Sequence, residues 1–225
     1  MDRFYCPDLA EGGVRTLPES EARHVRQVLR KPAGEAVVLF DGQGRSAEAT
    51  LETVDRHGVC VRPAEVRTEP VPASSLIVAA AVPKADRLKW MAEKLTELGV
   101  RRFVPMQCAR SVVEPRATKL EKLTQTVVSA CKQCGRDRLM EIADPTPLAD
   151  VLSMPADRRL IADVLTERRV GDRVAGTTLV LIGPEGGWTD EERAAAADAG
   201  FEAVGLATTV LRTETAAIAA AAVLA

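Results

Sequence analysis

Two segments of the chain carry residue types and spacings that could do chemistry. The first, Ile182-Gly183-Pro184-Glu185-Gly186-Gly187-Trp188, follows an apolar run and precedes Thr189-Asp190-Glu191-Glu192. Three glycines and a proline allow a tight loop whose backbone can approach a ligand closely. In open α/β sheets, such loops at the C-terminal ends of strands are where ligands bind. The spacing fits neither G-x-G-x-x-G nor a P-loop, which excludes the usual dinucleotide and nucleoside triphosphate cradles. By shape alone the segment is either a ligand loop or an ordinary strand-to-helix turn. The second segment, Leu206 to Ala216, also joins a strand end to a helix start. Arg212 and Glu214 put opposite charges at that helix mouth, and Thr213 is a candidate N-cap. Taken alone, this segment also reads as capping plus a surface ion pair.

Cationic side chains form a third group. Lys84, Arg87 and Lys94 sit around one amphipathic helix, which could equally be a solvated face. Arg110-Ser111-Val112 follows a strand, and Gln133-Cys134-Gly135-Arg136 ends a helix. Their guanidinium groups suit phosphate or carboxylate. A single Cys131-x-x-Cys134 pair on a helix lacks the second pair that a zinc site needs, so no metal is expected. His24 reads as a helix-face residue, and Trp90 and Trp188 as packing residues.

The elements that must position these groups change character along the chain. Residues 1–70 read as short strands with tight turns around one helix, the pattern of a small barrel. Ala36–Phe40, Ala47–Val54 and Val59–Val61 are strand-like, and Asp41-Gly42-Gln43-Gly44 is a turn. A helix opens at Pro18-Glu19-Ser20-Glu21 and stops before Pro32 and Gly34. Residues 63–75 carry Pro63, Pro70 and Pro72 and form the linker candidate. From residue 74 to 225 strands and helices alternate, which predicts an α/β domain with a parallel sheet. Strands are expected at Leu76–Val82, Phe103–Met106, Leu160–Leu165, Thr178–Ile182 and Val204–Leu206. Helices are expected at Asp86–Leu98, Thr118–Cys134, Thr189–Ala199 and Thr213–Ala225.

The 225 residues suffice for two modest domains. The net charge of -2 argues at first sight against nucleic acid. Its distribution does not. Residues 83–138 hold 13 Lys and Arg against 6 Asp and Glu, whereas residues 139–225 hold 7 against 14. The five cysteines, an odd number, and a start without an apolar signal-like run predict reduced thiols and a cytoplasmic protein. No stretch approaches the ~18 apolar residues of a membrane span.

In combination these segments resemble the RsmE family of 16S ribosomal RNA uridine-N3 methyltransferases, of the SPOUT superfamily. The resemblance runs from Arg3-Phe4-Tyr5, through His24 to Arg30, Gly34-Glu35 and Asp41-Gly42, to Lys84 and Thr96-Glu97-Leu98-Gly99. It continues through Arg110-Ser111-Val112 and Gln133 to Arg136, and ends with Gly183 to Gly187 and Leu211 to Ala216. It implies an N-terminal PUA-like RNA-binding β-barrel over residues 1–70. It also implies a SPOUT methyltransferase domain with a deep trefoil knot over 74–225. S-adenosylmethionine would be the methyl donor, the small ribosomal subunit and its 16S RNA the substrate, and a homodimer the working form. Ile182, Gly183, Glu185, Gly186, Gly187, Leu206, Val210, Leu211, Thr215 and Ala216 would hold the donor, with Ala162-Asp163-Val164 as a third wall. Arg212 and Glu214 would serve catalysis, Arg212 stabilising uridine O2/O4 charge and Glu214 orienting it or taking the proton. Arg3, Arg26, Arg30, Lys84, Arg87, Arg110 and Arg136 would contact RNA, mainly at phosphates. The chain departs from the family pattern at Ala207-Thr208-Thr209, where Gly-x-Arg is usual. Other SPOUT chemistry, such as ribose 2′-O methylation, and a catalytically silent ribosome-assembly role stay open at this level.

Overall fold

The computed structural model describes residues 1–10, 12–113 and 117–225. Two units emerge, one of Met1–Val71 with Val128–Leu139, the other of Pro72–Val127 with Met140–Ala225. Val128–Leu139 thus belongs to the first unit although it follows the start of the second in sequence.

The first unit is built on a six-stranded sheet. Its strands are β1 (Arg3–Tyr5), β2 (Arg15–Thr16), β3 (Ala36–Phe40), β4 (Arg45–Asp55), β5 (Gly58–Pro63) and β6 (Arg67–Thr68). The order is β1-β3-β4-β5-β2, with β6 beside β4, so β1 and β2 end an open half-barrel. β4 alternates buried Ala47, Ala49 and Leu51 with exposed Glu48, Thr50 and Glu52, the period of a sheet with one covered face. A register shift between Leu51 and Thr53 bends this long strand. Phe4, Leu39, Leu51, Val59 and Val61 form the centre of the core.

The expected helix after Pro18 is shorter than its pattern suggests. α1 (Glu19–Arg23) passes into a π-helical stretch, His24–Leu29, which stops at Arg30 in the left-handed region with φ 53°. The wider turn keeps Val25 buried and leaves Val28 64% exposed. Such π-turns leave no mark on a 3.6-residue pattern.

The second unit is a parallel seven-stranded sheet with helices. In chain order it contains β7 (Ser74–Ala81), α2 (Ala85–Glu97), β8 (Arg102–Gln107) and the first part of α3 (Ala117–Cys134). There follow β9 (Glu141–Ile142), β10 (Thr146–Pro147), α4 (Leu148–Leu152), β11 (Arg158–Ala162) and β12 (Gly176–Ile182). α5 (Asp190–Asp198), β13 (Glu202–Val204) and α6 (Thr213–Leu224) complete it. The order is β10-β8-β7-β12-β11-β13, with β9 also on β8. β7 from Leu76 and β12 from Leu179 are apolar and buried to their ends because both sheet faces are covered. β11 and β13 end earlier than their apolar runs, since Asp163 and Gly205 already turn away into loops.

The path after β13 decides what the fold can do. β13 is an edge strand, yet α6 packs against β7, β12 and α2 near the middle. Residues 205–212 must therefore cross back over the C-terminal ends of β11 and β12. Among the described residues, no helix is long and apolar enough to cross a membrane.

Candidate active site

That crossing closes a cavity of about 330 Å³ at the C-terminal ends of β11, β12 and β13. Of the ten residues expected to hold a donor, nine line it: Ile182, Gly183, Glu185, Gly186, Gly187, Leu206, Val210, Leu211 and Ala216. Thr215 does not line it and faces outward from α6. The expected third wall, Ala162-Asp163-Val164, is present.

Each glycine of the first loop has its own reason. A Cβ on Gly183 would stand 2.9 Å from the Trp188 ring, and one on Gly186 would stand 3.1 Å from Arg110 Cβ. Gly187 has φ +68°, in the left-handed region, where its N–H closes a turn onto Pro184 O at 2.9 Å. Trp188, 3% exposed, donates its indole N–H to Ala162 O at 2.9 Å and so ties this loop to the end of β11. Its packing role is the one its sequence context suggested.

Other stitches join the remaining walls. Thr213 was the candidate N-cap of α6, but Arg212 holds that position and no side chain caps it. The buried Thr213 hydroxyl instead donates to Gly183 O at 3.0 Å, joining the two loops directly. Arg193 Nε donates to Asp163 Oδ2 at 2.7 Å, and Leu165 N–H donates to Asp163 Oδ1 at 3.0 Å. The Asp163 carboxylate holds the Arg193 guanidinium still further above its ordinary pKa. Arg169 donates to Ala207 O, and Val170 N–H to Gly205 O at 3.2 Å, so residues 168–170 brace the departing Ala207-Thr208-Thr209 loop. α5 begins with a full capping box, Thr189 with Glu192, which fixes the exit of the first loop.

Asp163, Arg193, Trp188 and Thr213 thus shape the cavity together. Only Asp163, by its place at a strand end, had any sequence signal as a wall. Arg193 was legible merely as a polar residue on α5, since the Asp163 partner is 30 positions away.

The two expected catalytic residues do not pair with each other. Arg212 is exposed, while Glu214 is buried and meets Arg87 Nε of α2 at 3.5 Å. Glu214 Oε2 is buried with no hydrogen-bond partner among the described residues. Neither Arg212 nor Glu214 lines the cavity.

The expected RNA-contacting cations divide into two kinds. Arg3 bonds Asp137 and lies 5.1 Å from the Phe40 ring centroid. Arg26 bonds Glu19 and the carbonyls of Ala22, Asp55 and Arg56. Arg110 donates to Gly186 O and Trp188 O, and burial draws the Arg136 guanidinium below its ordinary pKa. By contrast Arg30 and Lys84 are exposed and make no ion pair among the described residues. No cluster of His, Cys, Asp and Glu able to hold a metal occurs among the described residues.

With this geometry, comparison with known proteins is direct. A family model described as RNA methyltransferase domain matches residues 69–225, and one described as RNA methyltransferase PUA domain matches residues 17–64. A ribosomal RNA small subunit methyltransferase E from Mycobacterium bovis is 33% identical, covering 95% of this chain and 87% of the relative. The crystal structure of a ribosomal RNA small subunit methyltransferase E from Neisseria gonorrhoeae, bound to S-adenosyl methionine, superposes with TM-score 0.89. It is 33% identical, over 99% of this chain and 95% of that one. A putative methyltransferase from Legionella pneumophila, also in complex with S-adenosyl methionine, is 31% identical over 97% and 94% of the two chains, with TM-score 0.89. The chain belongs to the ribosomal RNA small subunit methyltransferase E family, RNA methyltransferases with an N-terminal PUA domain.

Proposed function

We propose that this chain methylates N3 of a uridine in 16S ribosomal RNA, with S-adenosylmethionine as donor in the cavity at the ends of β11, β12 and β13. The observation that carries the reading is that cavity. Two loops and a strand end, distant in sequence, are stitched around a space of about 330 Å³, at the lower end of the usual range for ligand sites. The donor-bound relatives support the same reading.

The residues fit the donor. Ile182, Leu206, Val210 and Leu211 offer apolar walls for a flat heteroaromatic ring. The backbone of residues 183–187 and 205–207 offers polar edges for it. Asp163, Glu185 and Arg193 offer complementary charge for hydroxyl, ammonium and carboxylate groups. When bound, the donor supplies an electrophilic methyl group on a sulfonium.

This chain must prepare the acceptor. N3 of uridine carries a proton at neutral pH, so its nucleophilic form is an anion with charge on O2 and O4. Arg212, exposed at the start of α6, stabilises that charge. Glu214 positions Arg87, so that a second cation stands near the same helix start. The uridine is presented unstacked, and Arg30 of the first unit and Lys84 of the second each contact RNA phosphates. The working form is a homodimer. Val164, Leu165 and Val210, at and beside the cavity mouth, are 64%, 74% and 79% exposed and suit an apolar partner surface. The return of the chain from β13 to α6 is the route by which the trefoil knot is tied.

The test is methylation of small subunits taken from cells lacking the modification, followed by nucleoside mass spectrometry. N3-methyluridine is expected. A 2′-O-methyl nucleoside, or no methylated product, overturns the reading.

A further inference from the structure

Arg110 is a cation on the loop after β8, at the same end of the sheet as the cavity. Its neighbourhood is more specific than that of a residue waiting for phosphate. Nη1 donates to Gly186 O at 3.0 Å and to Trp188 O at 3.2 Å, so one guanidinium nitrogen bridges the carbonyls on either side of Gly187. Gly186 leaves room for it, because any Cβ there would stand 3.1 Å from Arg110 Cβ. The next residue back is fastened as well: Ala109 N–H donates to Glu192 Oε1 at 2.8 Å. The other oxygen of the same carboxylate accepts from Thr189 N–H at 2.9 Å within the capping box of α5. The base of the loop closes on itself, with Cys108 N–H donating to Ser111 Oγ at 3.1 Å. Residues 108–111 are therefore joined to the glycine loop at two places, to its middle by Arg110 and to its exit through Glu192.

We propose that Arg110 is a positioning residue of the donor site: it holds the Gly186-Gly187 turn in the shape that receives the donor, rather than serving as a phosphate contact. The proposal rests on the donor reading of the cavity. Loops with several glycines carry a large conformational entropy, and a loop that samples many shapes binds its ligand more weakly by the fraction of time spent in the wrong ones. Two carbonyls held by one charged donor remove that freedom. Lysine is not an equivalent replacement, since its rotating ammonium lacks the rigid guanidinium plane that aims the two N–H bonds of Nη1.

The test uses the full chain and S-adenosylmethionine itself. Donor affinity is measured by calorimetry for wild type, Arg110→Met, Arg110→Lys and Gly186→Ala, with RNA affinity and its salt dependence measured in parallel. Arg110→Met should weaken donor binding roughly fivefold to tenfold, the scale of one net hydrogen bond. Arg110→Lys should recover little of it. Gly186→Ala should give a similar loss, and the double variant Gly186→Ala/Arg110→Met should be far less than additive, because both changes break one contact. KM for the donor should rise in Arg110→Met while KM for RNA and the salt slope stay as in wild type. Unchanged donor affinity in Arg110→Met, with a salt slope reduced by about one, overturns the proposal and returns Arg110 to the phosphate contacts. Additive losses in the double variant also overturn it. Absence of donor binding by wild type overturns the reading of the cavity instead.

Discussion

The cavity at the ends of β11, β12 and β13 and the cationic residues expected at RNA use the same chemical groups to opposite ends. Around the cavity, side chains far apart in sequence turn toward a common space, and their polar atoms go into backbone carbonyls that fix its walls. Trp188, Thr213, Arg169 and Arg110 each donate to a main-chain oxygen of another loop. In the first unit, Arg3 and Arg26 are also consumed, but by their own unit: one by Asp137, the other by Glu19 and three carbonyls. An arginine in a motif can thus serve the fold as a brace. The cations differ in whether their donors are already taken, as they are in Arg26 and, among the described residues, are not in Lys84.

Removing a brace from the cavity should cost most. Trp188→Ala deletes a buried ring and the bond to Ala162 O, and should destabilise the second unit by about 3–5 kcal/mol. Urea denaturation followed at both units would read this. A loss of less than ~1 kcal/mol would mean that the first loop holds its shape without the indole.

Alkali offers the next largest effect and compares the two units with one chemistry. Burial pushes the thiols of Cys131, in the first unit, and Cys108, in the second, up to about 12. A folded-state pKa above the unfolded one means the unfolded chain releases its proton first. The stabilisation is whole below pH 9, the ordinary thiol value, and is lost as pH rises toward 12. The slope should approach about 1.4 kcal/mol per pH unit for each thiol. Cys131→Ala and Cys108→Ala should each flatten the fall in stability above pH 9. At pH 8 the exposed Cys134 should alkylate before either, and added donor should slow labelling of Cys108 but not of Cys131. Mass spectrometry of modified peptides would check both orders.

Smaller effects separate brace from contact. Arg26→Ala should lower stability by about 1 kcal/mol through lost hydrogen bonds, with the salt slope of RNA binding kept. Lys84→Ala should leave stability within about 0.5 kcal/mol and reduce that slope by about one. Reversed outcomes for this pair would show that occupied donors do not decide which cations meet RNA.

Much of this was legible in the sequence where the physics is local. The start of α5 follows from Thr189 and three acids, and the ends of α2 and α3 from Gly99 and Gly135, both at positive φ. β7 and β12 follow from unbroken apolar runs, since a strand covered on both faces needs no alternation. The glycine loop followed from residue type and order, and nine of the ten residues that the resemblance singled out line the cavity. The π-helical stretch after α1 did not, because one extra residue in a turn leaves propensities unchanged. Nor did the two-residue strands β2, β6, β9 and β10, which are too short to show a period and exist only because a longer neighbour offers an edge. Glu214 illustrates the same limit within the site. Its sequence neighbour Arg212 looked like its partner, but adjacent turns of the chain point elsewhere, and Arg87, 127 positions away, occupies the place.

By itself the sequence determined where the longer strands and helices lie, that a glycine loop sits at a strand end, and that cationic charge is concentrated in residues 83–138. Those properties depend on backbone preference, apolar period and composition, all of which act over a few residues. Only the tertiary structure decided that Thr213 bonds Gly183, that Arg193 bonds Asp163 and that Arg110 braces Gly186. A hydrogen bond between distant residues is specified by angstrom-scale approach, and that approach is set when β13 takes the sheet edge and α6 returns to its centre.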